Sequence, residues 1–74
     1  MSTYVGFVDG VNHYTLNLAS ASWVLYSPTF DLVSSGGTCL GPMTNNIVEY
    51  HAMIGLLTKA LYNNVIWIRV YLDS

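Results

Sequence analysis

The sequence predicts an α/β fold in which three strands, one helix and a further strand follow one another. Two changes of pattern support this prediction. Short apolar runs broken by Gly, Pro and Ser fill the first half of the chain, and such runs are typical of strands joined by tight turns. After Gly41-Pro42 the apolar residues take helical spacing, and they return to strand-like alternation from Val65. The predicted order is therefore β-β-β-α-β, with one helix packed on a mixed sheet.

The first three strands are short and rich in residues that favour β-structure. The first two are predicted at Tyr4–Asp9 and Ser20–Tyr26, and Phe30–Ser34 is predicted to begin the third. Gly10 ends the first strand, residues 12–18 are polar enough for a turn, and Ser27-Pro28 closes the second strand. Ser35-Gly36-Gly37 suggests a bulge or bend within the third strand. Short connections between these strands predict an antiparallel meander.

A helix is predicted after Pro42, because apolar residues recur there every three or four positions. Its buried stripe is predicted to contain Ile47, Tyr50, Ile54, Leu57 and Leu61, widened by Val48, Met53, Leu56 and Ala60. Asn46 fits an N-cap, and Glu49 then falls in the first turn. Asn63-Asn64 is a natural stop signal.

Val65–Leu72 is predicted as the last strand, with alternate residues on its two faces. A strand reached through a helix usually pairs parallel to an earlier one. If it lies beside the first strand, the strand ends that carry Asp9 and Asp73 become neighbours. Ligands of such sheets bind at the carboxyl ends of the strands. Asp9, Asp73 and Glu49 at the helix start are therefore predicted to form one site.

Composition limits what this chain does alone. It has 74 residues and a formal charge of −2, and only 8% of its residues are charged. Lys59 and Arg69 are its only strong bases, whereas nucleic-acid binders usually carry a basic patch that neutralises phosphates. Cys39 stands alone, which excludes a disulfide framework. A signal peptide and a long apolar run are absent from the sequence, so a soluble, intracellular protein is expected.

Three segments together resemble ribonuclease H of type 1. They are Asp9-Gly10, Thr44-Asn45-Asn46-x-x-Glu49-Tyr50-x-Ala52 and Asp73-Ser74. The version most similar is the reverse-transcriptase-like one of plant-type retrotransposon polyproteins. The resemblance covers essentially the whole chain. It implies that residues 1–74 are the amino-terminal portion of a ribonuclease H-like domain whose carboxy-terminal half is absent.

The resemblance also implies roles for individual residues. Asp9, Glu49 and Asp73 would be catalytic and would hold two Mg²⁺ ions, or Mn²⁺, for cleavage of the RNA strand of an RNA–DNA hybrid. Asn45 and Asn46 would contact the hybrid in its minor groove, where 2′-hydroxyls are exposed. Gly10 would allow close approach of the backbone to the substrate.

Simpler roles remain open for the same residues. Glu49 also suits the helix dipole, Asn46 a helix cap and Asp73 an ordinary turn. His51 lies two positions from Glu49 and is predicted to point away from the site. With half of the domain missing, little or no activity is expected from the isolated chain. Two other classes of function are a degenerate nucleic-acid-binding module and an interaction fragment that self-associates through strand 65–72.

Overall fold

The chain forms a four-stranded sheet with one helix packed against it. This computed structural model describes the backbone of residues 2–13, 18–41 and 45–73 and the side chains of residues 2–11, 18–38, 41 and 47–72. Its elements are β1 (Tyr4–His13), β2 (Leu18–Tyr26), β3 (Leu32–Leu40), α1 (Asn45–Tyr62) and β4 (Ile68–Asp73). The strands lie in the order β3-β2-β1-β4. Within the described ranges, α1 included, no helix is both long and apolar enough to cross a membrane.

The predicted topology is confirmed. β1 pairs antiparallel with β2, and β2 pairs antiparallel with β3. β4, reached through α1, pairs parallel with β1. The sheet is therefore mixed, and β4 forms one of its edges.

Several strand boundaries differ from the prediction. β1 does not end at Gly10: its pairing with β2 continues to His13 opposite Leu18. Each of these antiparallel pairs adds ladder hydrogen bonds that outweigh the weak strand propensity of Gly10 and Asn12. The predicted turn over 12–18 is correspondingly shorter, and residues 14–17 lie outside the described part. β4 begins at Ile68 and not at Val65.

The predicted bulge at Ser35-Gly36-Gly37 is wrong. The register shift lies elsewhere, since Leu25 pairs with Ser34 while Tyr26 pairs with Leu32, which leaves Val33 as the extra residue. Gly36 pairs regularly with Trp23. A Cβ atom added at Gly36 would lie 2.7 Å from the Trp23 ring, so the absence of a side chain at Gly36 makes room for the indole.

The helix buries one side of the predicted stripe and not its centre: Val48, Leu56 and Ala60, predicted to widen the stripe, are buried together with Ala52. Its core residues are the small or medium ones spaced four apart, Val48, Ala52, Leu56 and Ala60, each 0–5% exposed. Most of the predicted stripe is on the surface, with Tyr50 66%, Ile54 62% and Leu61 75% exposed. The reason is the short distance between helix and sheet. A Cβ at Gly6 would lie 2.6 Å from Leu56 Cδ2, so the absence of a side chain at Gly6 makes room for Leu56, while Ala52 and Ala60 add little bulk to the same helix face.

The ends of α1 also refine the prediction. The helix begins at Asn45, so Asn46 is its second residue and not the N-cap. Glu49 consequently lies beyond the first turn, which contains no acidic residue, and the dipole explanation of Glu49 loses weight because that effect fades after one turn. At the other end Asn64 adopts a left-handed conformation with a φ of 56°. The Val65 amide donates to the Ala60 carbonyl at 3.0 Å, a Schellman-type end that confirms the predicted stop.

Two adjacent leucines test which face of α1 is buried. Leu56→Ala should lower the free energy of unfolding by about 2–5 kcal/mol, because Leu56 is fully buried. Leu57→Ala, at a side chain 40% exposed, should cost less than about 1 kcal/mol. Urea unfolding of both variants measures the difference. Equal losses, or a larger loss for Leu57→Ala, would contradict this helix orientation.

Candidate functional site

Asp9 and Asp73 lie side by side in the sheet. They are Cα partners in the parallel pairing of β1 with β4, and neighbouring strands are about 4.8 Å apart. The predicted juxtaposition of these two positions is therefore confirmed for the backbone, although Asp9 lies within β1 and does not end it. The Asp9 side chain is exposed. The side chain of Asp73 lies outside the described residues.

The surface around Asp9 is open to solvent and contains grooves. Strand alternation places Asp9 with Phe7 and Val11, on the face opposite α1. Two shallow grooves of about 400 and 390 Å³ border Asp9, one towards Trp23 and Gly36 and the other towards Ser20 and Thr38. An extended ligand thus has access to the Asp9 carboxylate along the sheet.

Glu49 reaches the same segment of β1 from the helix side. Its Cγ and Oε1 lie 2.8 and 3.0 Å from the position that a Cβ of Gly10 would occupy. Gly10 follows Asp9 directly, so the Glu49 carboxyl group packs against the residue next to Asp9. Glu49 Oε1 is buried and has no hydrogen-bond partner among the described residues. A buried carboxylate oxygen without a donor is costly unless a cation compensates its charge.

The described residues fit a divalent cation, although they do not complete a ligand set. An orphaned Glu49 oxygen, an exposed Asp9 carboxylate and the adjacent Asp73 position offer the oxygen ligands that Mg²⁺ prefers. Among the side chains that the structure describes, no three His, Cys, Asp or Glu residues form a metal-binding group. Because Asp73's side chain is not one of them, the three-carboxylate set stays a prediction.

The other predicted site residues are placed only in part. Asn45 and Asn46 form the start of α1, one turn before Glu49, and their side chains are outside the described set. His51 is exposed, as expected for a residue that points away from the site. Lys59 lies ten positions after Glu49, about 15 Å along the helix axis, and stands near the Tyr62 ring at 5.9 Å. Lys59 is thus too distant to neutralise Glu49.

One feature of the site was not predicted from the sequence. Gly6 and Gly10 both lie on the β1 face that meets α1, where they accommodate Leu56 and Glu49. The available signal was their spacing. Glycines four apart in a strand share a face, and glycine inside a strand often marks a close approach of another segment.

Comparisons with known proteins agree on the fold. No protein-family model matches the chain. A ribonuclease HI of Halobacterium salinarum is 37% identical over 54 residues, which cover 73% of this chain and 27% of that protein. The crystal structure of RNase H1 from the same archaeon superposes with a TM-score of 0.80 at 32% identity, over 97% of this chain and 55% of the other.

A second solved structure supports the fold alone. It is the N-terminal RNase H domain of a Mycobacterium tuberculosis protein, determined as a fusion with maltose-binding protein. Its TM-score is 0.85 at 23% identity, over 100% of this chain and 54% of that chain. The chain therefore has a ribonuclease H-like fold and resembles ribonuclease HI in sequence. It spans little more than half the length of these solved relatives.

The orphaned carboxylate predicts an unusual stability effect. In metal-free buffer, Glu49→Gln should leave the free energy of unfolding unchanged or raise it by up to about 1 kcal/mol, since an uncharged amide of similar shape replaces an unpartnered buried oxygen. Urea unfolding measures this change. As a control, Asp31→Asn replaces an exposed carboxylate, which accepts a hydrogen bond from Thr29, with an amide. A loss above about 1 kcal/mol for Glu49→Gln would mean that the carboxylate has a favourable partner without metal.

Proposed function

We propose that this chain is part of a ribonuclease H domain that uses divalent metal ions to cleave the RNA strand of RNA–DNA hybrids. The observation that carries the proposal is the convergence on one segment of β1. Asp9 and Asp73 are in register on parallel strands, and the Glu49 carboxyl group packs against Gly10. The similarity to a ribonuclease HI of Halobacterium salinarum supports this assignment.

In this proposal Asp9, Glu49 and Asp73 hold Mg²⁺ or Mn²⁺ through their carboxylate oxygens. Two such ions, when bound, supply an activated water and neutralise charge on the departing 3′ oxygen. The chain's own contribution is to fix the ligands. The β1–β4 pairing sets the Asp9–Asp73 spacing, and α1 holds Glu49 in place beside Gly10.

Substrate contacts are proposed at the start of α1 and at Gly10. Asn45 and Asn46 lie one turn before Glu49, where amide side chains would read 2′-hydroxyls in the minor groove of the hybrid. The backbone at Gly10 would approach the substrate closely. With Lys59 and Arg69 as its only strong bases, the chain neutralises few phosphates, so its own affinity for hybrids is expected to be weak and strongly salt-dependent.

We further propose that residues 1–74 correspond to the amino-terminal portion of the domain and that the isolated chain has little activity. Alignment with little more than half of each solved relative supports a partial domain, and the assignment to its amino-terminal portion rests on the order of the Asp9, Glu49 and Asp73 segments. The exposed apolar face of α1 supports the low activity, because a complete domain would cover it. The retrotransposon affiliation rests on the segment from Thr44 to Ala52 alone.

Hybrid cleavage tests the catalytic proposal. Any cutting of a labelled RNA–DNA hybrid by the chain should require Mg²⁺ and should fall by roughly 10²-fold or more in Asp9→Asn, the scale of losing a transition-state-stabilising group. Asp31→Asn is the matched control, because Asp31 belongs to the β2–β3 turn. Cutting that survives in Asp9→Asn contradicts the assignment of Asp9. If neither protein cuts, this chain is not a nuclease, and hybrid binding by fluorescence anisotropy then tests the degenerate binding module.

Self-association is a second candidate function, favoured by the apolar character of the β4 edge. Ile66, Trp67, Tyr71 and Leu72 are 48–85% exposed, and β4 lies at the edge of the sheet. An edge strand with unpaired backbone groups and apolar side chains invites pairing with another chain. The opposite edge strand, β3, is mostly Ser, Gly and Thr, so β4 is the expected contact.

Matched leucines on the two edges test this candidate. The wild-type chain should show a mass larger than one chain that rises with concentration in light scattering coupled to gel filtration. Leu72→Lys on β4 should shift it to monomer, because a charge on an edge strand opposes pairing. Leu32→Lys on β3, at a leucine of similar exposure (62% against 56%), should not. A wild-type chain that is monomeric at all concentrations contradicts self-association.

A further inference from the structure

The lack of room for a side chain, and not the backbone conformation, explains why residue 10 is a glycine. None of the described glycines has a positive φ, so the strand geometry at Gly10 is open to any L-residue. The volume that a side chain would need is instead filled by Glu49. A Cβ atom at Gly10 would lie 2.8 Å from Glu49 Cγ, 3.0 Å from Oε1 and 3.3 Å from Cδ.

Comparison with Gly6 shows why the contact at Gly10 is unusual. Gly6 lies on the same face of β1, and its vacant space is filled by the apolar end of Leu56. That contact contributes ordinary core packing, since Leu56 is fully buried. At Gly10 the space is filled by a carboxyl group whose Oε1 is buried and has no hydrogen-bond partner in the part of the chain that the structure describes. Hydrophobic packing gives no reason to place a carboxylate there.

We propose that Gly10 is a positioning residue for Glu49. Its missing side chain leaves a slot beside β1 in which the Glu49 carboxyl group lies against the residue that follows Asp9, with Oε1 shielded from water. The slot holds Oε1 in one position for a divalent cation, whereas without it the Glu49 side chain would rotate freely in solvent. This proposal rests on the metal-dependent function proposed above. Gly10 would then have two roles: it allows the predicted close approach of the substrate, and it positions Glu49 of the helix.

A double-mutant cycle in metal-free buffer tests the steric part. Gly10→Ala should change the Tm by about 4 °C or more when Glu49 is present, because the added methyl group and the Glu49 carboxyl group cannot occupy the same space. In the Glu49→Ala background the same substitution should change the Tm by less than about 2 °C, since the two sites no longer couple. Gly41→Ala is the control, because no atom lies within 4 Å of its added Cβ. Equal effects of Gly10→Ala in both backgrounds would overturn the proposal.

The cycle remains decisive if a variant is too unstable to fold. A folded Gly10→Ala/Glu49→Ala protein beside an unfolded Gly10→Ala protein would itself demonstrate the coupling, read by circular dichroism. If both proteins are unfolded, Gly10 is needed for the fold irrespective of Glu49, and the positioning role is wrong.

Calorimetric titration with Mn²⁺ tests the functional part. Gly10→Ala should weaken the binding by roughly tenfold or more, within the range seen when a ligand loses its positioning group. Gly6→Ala, which disturbs Leu56 on the same strand face, should lower stability with less than about threefold loss of affinity. Wild-type affinity retained in Gly10→Ala overturns positioning and leaves the proposed function intact. A wild-type chain that binds no Mn²⁺ counts against the proposed function, whereas the metal-free cycle still decides the steric role.

Discussion

The close packing of α1 on β1 is the constraint on which the rest of this structure depends. It is possible because Gly6 and Gly10 have no side chains and because the facing helix residues include Ala52 and Ala60. This short distance determines which face of the helix is buried. It also brings the Glu49 carboxyl group against β1. With a larger separation this group would remain in solvent. Fold and candidate site therefore share one cause.

The same constraint leaves much apolar surface uncovered. Since the small residues of α1 face the sheet, its larger ones, among them Tyr50, Ile54 and Leu61, face outward. The other side of the sheet carries an aromatic group in which Phe7 stacks on Tyr71 at 5.4 Å between ring centroids. With only 8% charged residues, few charges oppose contact at these surfaces. Exposed apolar areas of this kind are typical of interaction surfaces and ligand-binding grooves.

The sequence predicted the topology better than the details of packing. The change from alternating to helical spacing after Pro42 was enough to predict the order β-β-β-α-β. The crossover rule predicted that the last strand pairs parallel to an earlier one, which in the structure is β1. The centre of the buried helix face was predicted wrongly, because hydrophobicity favoured Ile54 and Leu61 over Ala52. The bulge was misplaced because Gly36 serves the Trp23 ring and not a bend. In each case a side chain distant in sequence decided the outcome.

By itself the sequence determined the element order and a parallel pairing of the last strand with an earlier one, because both follow from local periodicity and from the short, handed connections that chains adopt. The structure decided that the earlier strand is β1, which sets Asp9 beside Asp73. The sequence also marked Glu49 as a candidate through its position in the TNNxxEY segment. Only the tertiary structure decided where the Glu49 carboxyl group lies and that its Oε1 is buried with no hydrogen-bond partner among the side chains described. That outcome depends on the distance between helix and sheet, which is set by the combined volumes of residues far apart in the chain.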